Sequence, residues 1–87
     1  MSAPTMEDFT PHVGKRFQPE GGAVALVLER VEPAAPGFSL LFRGPAGAVL
    51  PAGMHDFTVE DGAAFALHLM PIHTPMPDRQ DYQAVFN

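Results

Sequence analysis

The sequence predicts a mainly β fold: a small antiparallel barrel or two-layer sandwich of five to six short strands, with one short N-terminal helix. Three observations lead there. Short apolar segments recur between close-set glycines and prolines, of which the chain has 8 and 10 among its 87 residues. Phe38-Ser39-Leu40-Leu41-Phe42 is apolar on both faces and stops at Arg43-Gly44-Pro45, as a strand buried on both sides would. Helical spacing is confined to the start of the chain. No repeat or linker divides it, so residues 1–87 read as one domain, with residues 1–4 expected to fray.

The helix is expected over Thr5 to Val13. Thr5 can cap it with Asp8 three residues on, Glu7 and Asp8 suit the positive end of the helix dipole, and Met6, Phe9 and Val13 form one apolar stripe. Pro11 removes a backbone donor and shortens the helix, and Gly14 ends it. Lys15 to Gln18 is a short strand closed by Pro19, and Glu20-Gly21-Gly22 is a tight turn. Ala23 to Val31 alternates, with Val24, Leu26 and Leu28 on one face and Ala25, Val27 and Glu29 on the other. After a proline-bearing loop, Phe38 to Arg43 places Phe38, Leu40 and Phe42 together. Gly44 to Gly53 reads as a loop that packs Val49 and Leu50 inward. Met54 to Glu60 and Ala63 to Ile72 are the next strands, with Pro71 at a fraying end or an edge. Asp81 to Phe86 is the last, with Tyr82, Ala84 and Phe86 on one side.

The hairpin between the fourth and fifth strands admits two registers. A two-residue turn at Asp61-Gly62 sets Thr58 against Phe65 and Asp56 against Leu67, polar facing apolar. A three-residue loop, Glu60-Asp61-Gly62, pairs Phe57 with Phe65, Val59 with Ala63 and His55 with Leu67, and puts Gly62 where a left-handed residue is needed. A one-residue slip exchanges the faces, so burial selects the second.

Composition excludes several classes of function. The formal charge is −5, from ten acidic and five basic residues, and the single lysine and four arginines are dispersed. Phosphate-binding surfaces need clustered cations, so nucleic-acid binding is not expected. No cysteine is present, which rules out disulfides, thiol catalysis and thiolate metal sites. The N-terminus lacks the pattern of a signal peptide, and the longest apolar run, Ala23 to Leu28, is far too short to span a bilayer. A cytoplasmic location and no membrane association are the resulting expectations.

No motif announces chemistry. His55, His68 and Asp56 are the residues to consider for a metal or small ligand, yet the favoured register turns His55 inward and His68 outward, so they diverge. Asp56 stands beside His55, but no serine has the context of a nucleophile, and Gly44, Gly47 and Gly53 do not follow a phosphate-cradling spacing. No enzyme activity and no cofactor are expected. Interaction is the stronger reading. Small sheets leave unpaired edges, and the edges Lys15 to Gln18 and Asp81 to Phe86 are candidates to pair with another chain. Lys15, Phe17, Arg43, Met76 and Tyr82 are the expected contact residues. Arg43 has a rival use, pairing with Glu29 or Glu32 of its own chain. Met54, Met70 and Met76 suit an adaptable contact patch, although core gap-filling explains Met54 and Met70 more simply.

Several blocks taken together are familiar: Met6-Glu7-Asp8-Phe9 with Pro11-His12-Val13-Gly14, then Phe38 to Pro45, Val49-Leu50-Pro51 with Gly53, and the ending Tyr82-Gln83-Ala84-Val85-Phe86-Asn87. Over nearly its whole length the chain resembles a family of small bacterial proteins catalogued as domains of unknown function. The resemblance implies a β-rich protein, offers no catalytic residues to carry over, and implies a gene neighbourhood of phage-tail-collar-like proteins. His55 stands where the family pattern suggests an aromatic such as tyrosine. The functional expectation is a non-enzymatic assembly or protein-interaction module, binding a protein partner or itself, as an accessory to a tail-like fibre or filament. The alternative is a metal- or small-ligand-binding domain built on the hairpin histidines.

Overall fold

In the computed structural model, which describes residues 4–22, 24–34, 36–47, 49–72 and 77–86, two three-stranded meanders close on each other. The first comprises β1 (Arg16–Pro19), β2 (Leu26–Pro33) and β3 (Phe38–Pro45). The second comprises β4 (Gly53–Val59), β5 (Ala64–Ile72) and β6 (Arg79–Phe86). β3 pairs with β6 and β1 pairs with β4, giving a closed antiparallel barrel of order β1-β2-β3-β6-β5-β4. Of the two expected architectures, the barrel is the one adopted.

Its interior is filled, as a six-stranded barrel's must be. Phe9, Phe17, Leu26, Leu28, Leu40, Phe42, Phe57, Val59, Leu67, Leu69, Tyr82 and Ala84 are at most 1% exposed. Phe17 sits at the centre, edge-on to Phe42 at 5.1 Å and to Phe57 at 6.2 Å. The Phe38 and Phe86 rings, opposite each other on β3 and β6, stack at 4.7 Å and 6°.

The hairpin register is the one burial selects. Phe57 pairs with Phe65 and His55 with Leu67, and the Val59 N–H donates to the Ala63 carbonyl at 2.7 Å. Gly62 takes φ +99° in the turn, a conformation that glycine adopts without steric cost.

The N-terminal helix is shorter than expected. α1 covers Met6–Phe9 and passes into a 3-10 turn at Thr10–His12 that contains Pro11. The Asp8 carboxylate accepts the Thr5 N–H at 2.8 Å. Phe9 is buried and Met6 packs against the core, but Val13 lies beyond the turn and is 42% exposed, so the apolar stripe ends one residue pair early. β5 and β6 pair only over Met70–Ile72 and Asp81–Gln83. At the helix end of the barrel the Phe9 ring lies 4.5 Å from Phe65 and 5.5 Å from Phe86, packing between strands whose ladder has stopped.

Three further expectations change. Gly44 and Pro45 belong to β3, and a Cβ on Gly44 would lie 2.7 Å from Leu26 Cδ2. Val49 is 54% exposed, while Leu50 packs on the core. In β2 the register shifts between Leu28 and Arg30, so Glu29 is the extra residue of a bulge and Val31 turns inward against the core.

Candidate functional site

Closure decides the fate of the expected edges. β1 is paired on both sides, to β2 and β4. β6 is paired to β3 along its length and to β5 over Asp81–Gln83. β1 offers no free edge, and of Asp81 to Phe86 only the Ala84–Phe86 end lacks a β5 partner, at the end of the barrel where Phe9 packs. Phe17 and Tyr82 are 0% exposed, so the two expected aromatic contacts are core residues. Their positions alternate into the barrel, and closure buries that face whichever chain pairs alongside. The Tyr82 hydroxyl accepts the Leu50 N–H at 3.1 Å, holding the loop before β4 over the barrel mouth. Met76 lies outside the described residues.

The expected cationic contacts find partners in their own chain. The Lys15 ammonium is 3.0 Å from Asp61 Oδ2. The Arg43 guanidinium is 4.0 Å from Glu29, the intramolecular acid weighed against a partner's. The bulge turns Glu29 toward Arg79 as well, at 3.2 Å, and Arg79 also meets Asp81 at 2.8 Å. These two carboxylates hold the Arg79 guanidinium above its ordinary pKa, the Asp81 hydrogen bond foremost.

A second cluster ties the 3-10 turn to the β4–β5 loop. His12 Nδ1 lies 3.0 Å from Asp61 Oδ2, but the N–H direction misses hydrogen-bond geometry and the buried nitrogen has no such partner. The His12 ring lies 5.6 Å from Phe65 and 6.3 Å from Phe17, in edge orientation to both. The Asp61 carboxylate is held below the usual value of 3.8, first by the Ala63 N–H and then by the Lys15 ammonium, with His12 adding a smaller charge effect. A carboxylate lowered on folding stabilises the fold above its unfolded pKa, and that stabilisation disappears as pH falls through the lowered value. The urea midpoint should therefore drop on acidification below about pH 4, and Asp61→Asn should flatten that part of the curve. An identical acid limb in Asp61→Asn would refute the assignment.

The hairpin histidines separate as the register requires. His55 is half-buried at the barrel mouth, and its Nε2–H donates to the Pro51 carbonyl at 2.8 Å. His68 is exposed on the outer face, opposite Met54. Asp56 shares that outer face, opposite Ala66. Among the described residues, no three His, Cys, Asp or Glu side chains converge to hold a metal ion. An open groove of about 740 Å³ lies over β1, β4 and β5, lined by Gln18, Glu20, Asp56, Thr58, Ala64 and Ala66 among others.

The most distinctive surface lies beside it. Met54 is 63% exposed, Met70 48% and Val85 50%, and all three point outward from adjacent strands. Met54 stands opposite His68, and Met70 follows two residues on along β5. Met70 stands opposite Gln83, whose other neighbour is Leu41. Val85 follows Gln83 along β6. The band carries no formally charged side chain at its centre. Core gap-filling for Met54 and Met70 is thereby corrected. The signal was present in the sequence: a register that turns His68 outward also turns out its facing residue, Met54, and its neighbour at two residues' distance, Met70.

No helix among the described residues is long and apolar enough to cross a membrane. No curated protein matches the chain, and no solved structure does. A family model does match, over residues 4–86, which takes in the capped helix, all six strands and the outer band. The chain belongs to the family described as Domain of unknown function (DUF6916).

Proposed function

We infer that the protein is a non-enzymatic interaction module whose docking surface is the outer face of β4, β5 and β6 around Met54, Met70 and Val85. One observation carries this reading: three large apolar side chains, each about half exposed or more, stand on the outer face of three neighbouring strands, Met54 diagonal to Met70 and Val85 two residues along β6 from the residue opposite Met70. Isolated exposed apolar residues are ordinary, but adjoining ones mark contact surfaces. Methionine suits them because its flexible thioether adapts to an opposing surface. The filled interior supports the non-enzymatic half of the reading, since the inward side chains of the described residues occupy it.

The occupant we favour is a different protein rather than a second copy. The chain carries −5, and a second copy would bring a second −5 against the first. A partner with an apolar centre and a basic rim meets both the band and its surroundings. The family resemblance suggests where to look: a tail-collar-like protein encoded nearby, with this chain as an accessory to a tail-like fibre.

The test is co-expression with that neighbour, followed by size-exclusion chromatography with light scattering. The parent chain should be monomeric alone and should co-elute with the neighbour. Met54→Glu with Met70→Glu should abolish co-elution, while Ala64→Glu, on the same outer face but outside the band, should not. A chain that self-associates through the band, fails to co-elute, or co-elutes regardless of the methionine changes would overturn the proposal.

A further inference from the structure

We propose that Met54, His68 and Met70 form a binding site for a soft monovalent metal ion, copper(I), with silver(I) as its redox-inert equivalent. The three side chains emerge on one face of one hairpin. Met54 and His68 are directly opposite in the β4–β5 ladder, where facing Cβ atoms lie about 4.5–5.5 Å apart. Met70 is two residues beyond His68 on the same strand and therefore diagonal to Met54, at roughly 7–8 Å between backbones. Each methionine has three rotatable bonds, enough to bring its sulfur over the imidazole between them.

The donor set selects the ion. Thioether sulfur is a soft ligand that favours copper(I), and imidazole nitrogen suits copper as well. Zinc sites draw instead on thiolates, imidazoles and carboxylates, four around a tetrahedron, and the band supplies one imidazole. Two neutral thioethers and one neutral imidazole leave a monovalent ion its charge, which the −5 chain tolerates. Asp56, two residues from Met54 along the same face of β4, adds a carboxylate nearby.

Two further features support a ligand role. Both sulfurs belong to exposed side chains, so an ion reaches them without unfolding anything. The His68 ring has no hydrogen bond or ion pair among the described residues, in contrast to His12 and His55. This goes beyond the docking surface and stands apart from it: silver binding by a monomer and partner binding without silver are separately observable.

The experiment is titration of the intact chain, with 13C-labelled methionine methyls, by silver nitrate in chloride-free buffer. One equivalent should saturate, moving the Met54 and Met70 methyl signals and the His68 ring signals and leaving Met6 in place. Losing even outer-shell support weakens metal sites by roughly 10–100-fold, so Met54→Leu with Met70→Leu should weaken binding about 100-fold or more. His68→Ala should weaken it by at least about tenfold. All three residues are exposed, so these variants keep the parent's melting temperature. Zinc at the same concentration should leave the two methyl signals unmoved. Copper(I), added anaerobically against a chromophoric chelator, should follow silver. Failure of silver to saturate at one equivalent, a double variant that binds like the parent, or equal response to zinc would each overturn the proposal.

Discussion

Phe17→Ala is expected to remove about 3–5 kcal/mol of stability, the range for a buried phenylalanine truncated to a methyl group. The ring is wholly inaccessible and meets rings from three other strands, Phe42 on β3, Phe57 on β4 and Phe65 on β5. β1, the four-residue strand that carries it, joins β2 to β4 and so completes the barrel. The void cannot collapse without separating those strands. Domains near this size rarely have more than about 5 kcal/mol to lose, so the variant should be largely unfolded at 37 °C. Urea unfolding followed by circular dichroism measures it. A variant within about 0.5 kcal/mol of the parent, the range for surface changes, would mean that Phe17 faces solvent or a partner. Met54→Ala is the matched control and should stay within that range, because its side chain is 63% exposed.

Phe9→Ala should cost a similar 3–5 kcal/mol, with a different distribution. A four-residue helix has no stability of its own, and α1 is held by its aromatic anchor. The Phe9 ring touches Phe38 at 5.9 Å, Phe65 at 4.5 Å and Phe86 at 5.5 Å, where the β5–β6 ladder has ended. Removing it frees the helix and leaves the separated strands facing water. Native-state hydrogen exchange should show lost protection first in α1 and the following turn, then at the helix end of β5 and β6. The His12–Asp61 contact is exposed to solvent at the carboxylate and contributes too little to hold the turn alone. Unchanged protection in α1 would show that other contacts hold it.

Local features of the fold were legible in the sequence wherever a short-range rule met an apolar pattern. The Thr5–Asp8 cap, the inward set Leu26 and Leu28, the strand at Phe38–Phe42 and the β4–β5 register follow from spacing. In the hairpin, only one of two registers puts Phe57 against Phe65. Pro11 announced a short helix, though where Val13 would point depended on the geometry after the turn. The bulge at Glu29 was not legible. Strict alternation placed Val31 outward, and nothing in the residues flags the extra one, whose position follows from how β2 must bend to remain paired with β3.

The site was legible in part. Separation of His55 from His68 followed from the register, and so did the outward turn of Met54 and Met70, although methionine's apolar character argues for burial. Edge docking by Lys15, Phe17 and Tyr82 had the opposite outcome, because an edge is a property of the whole sheet. Alternation tells which face a residue takes and is silent on which strand lies alongside.

The sequence by itself determined where most of the strands lie, the faces of their side chains outside the Glu29 bulge, and the hairpin register, because these depend on neighbours a few residues apart and on the pull of apolar side chains out of water. Only the tertiary structure decided that β1 meets β4 and β3 meets β6. Those pairings join residues tens of positions apart and are selected by the fit of the assembled aromatic core. Closure paired β1 on both sides, and the exposed apolar side chains Met54, Met70 and Val85 are the ones that the strand registers turn to the outer face.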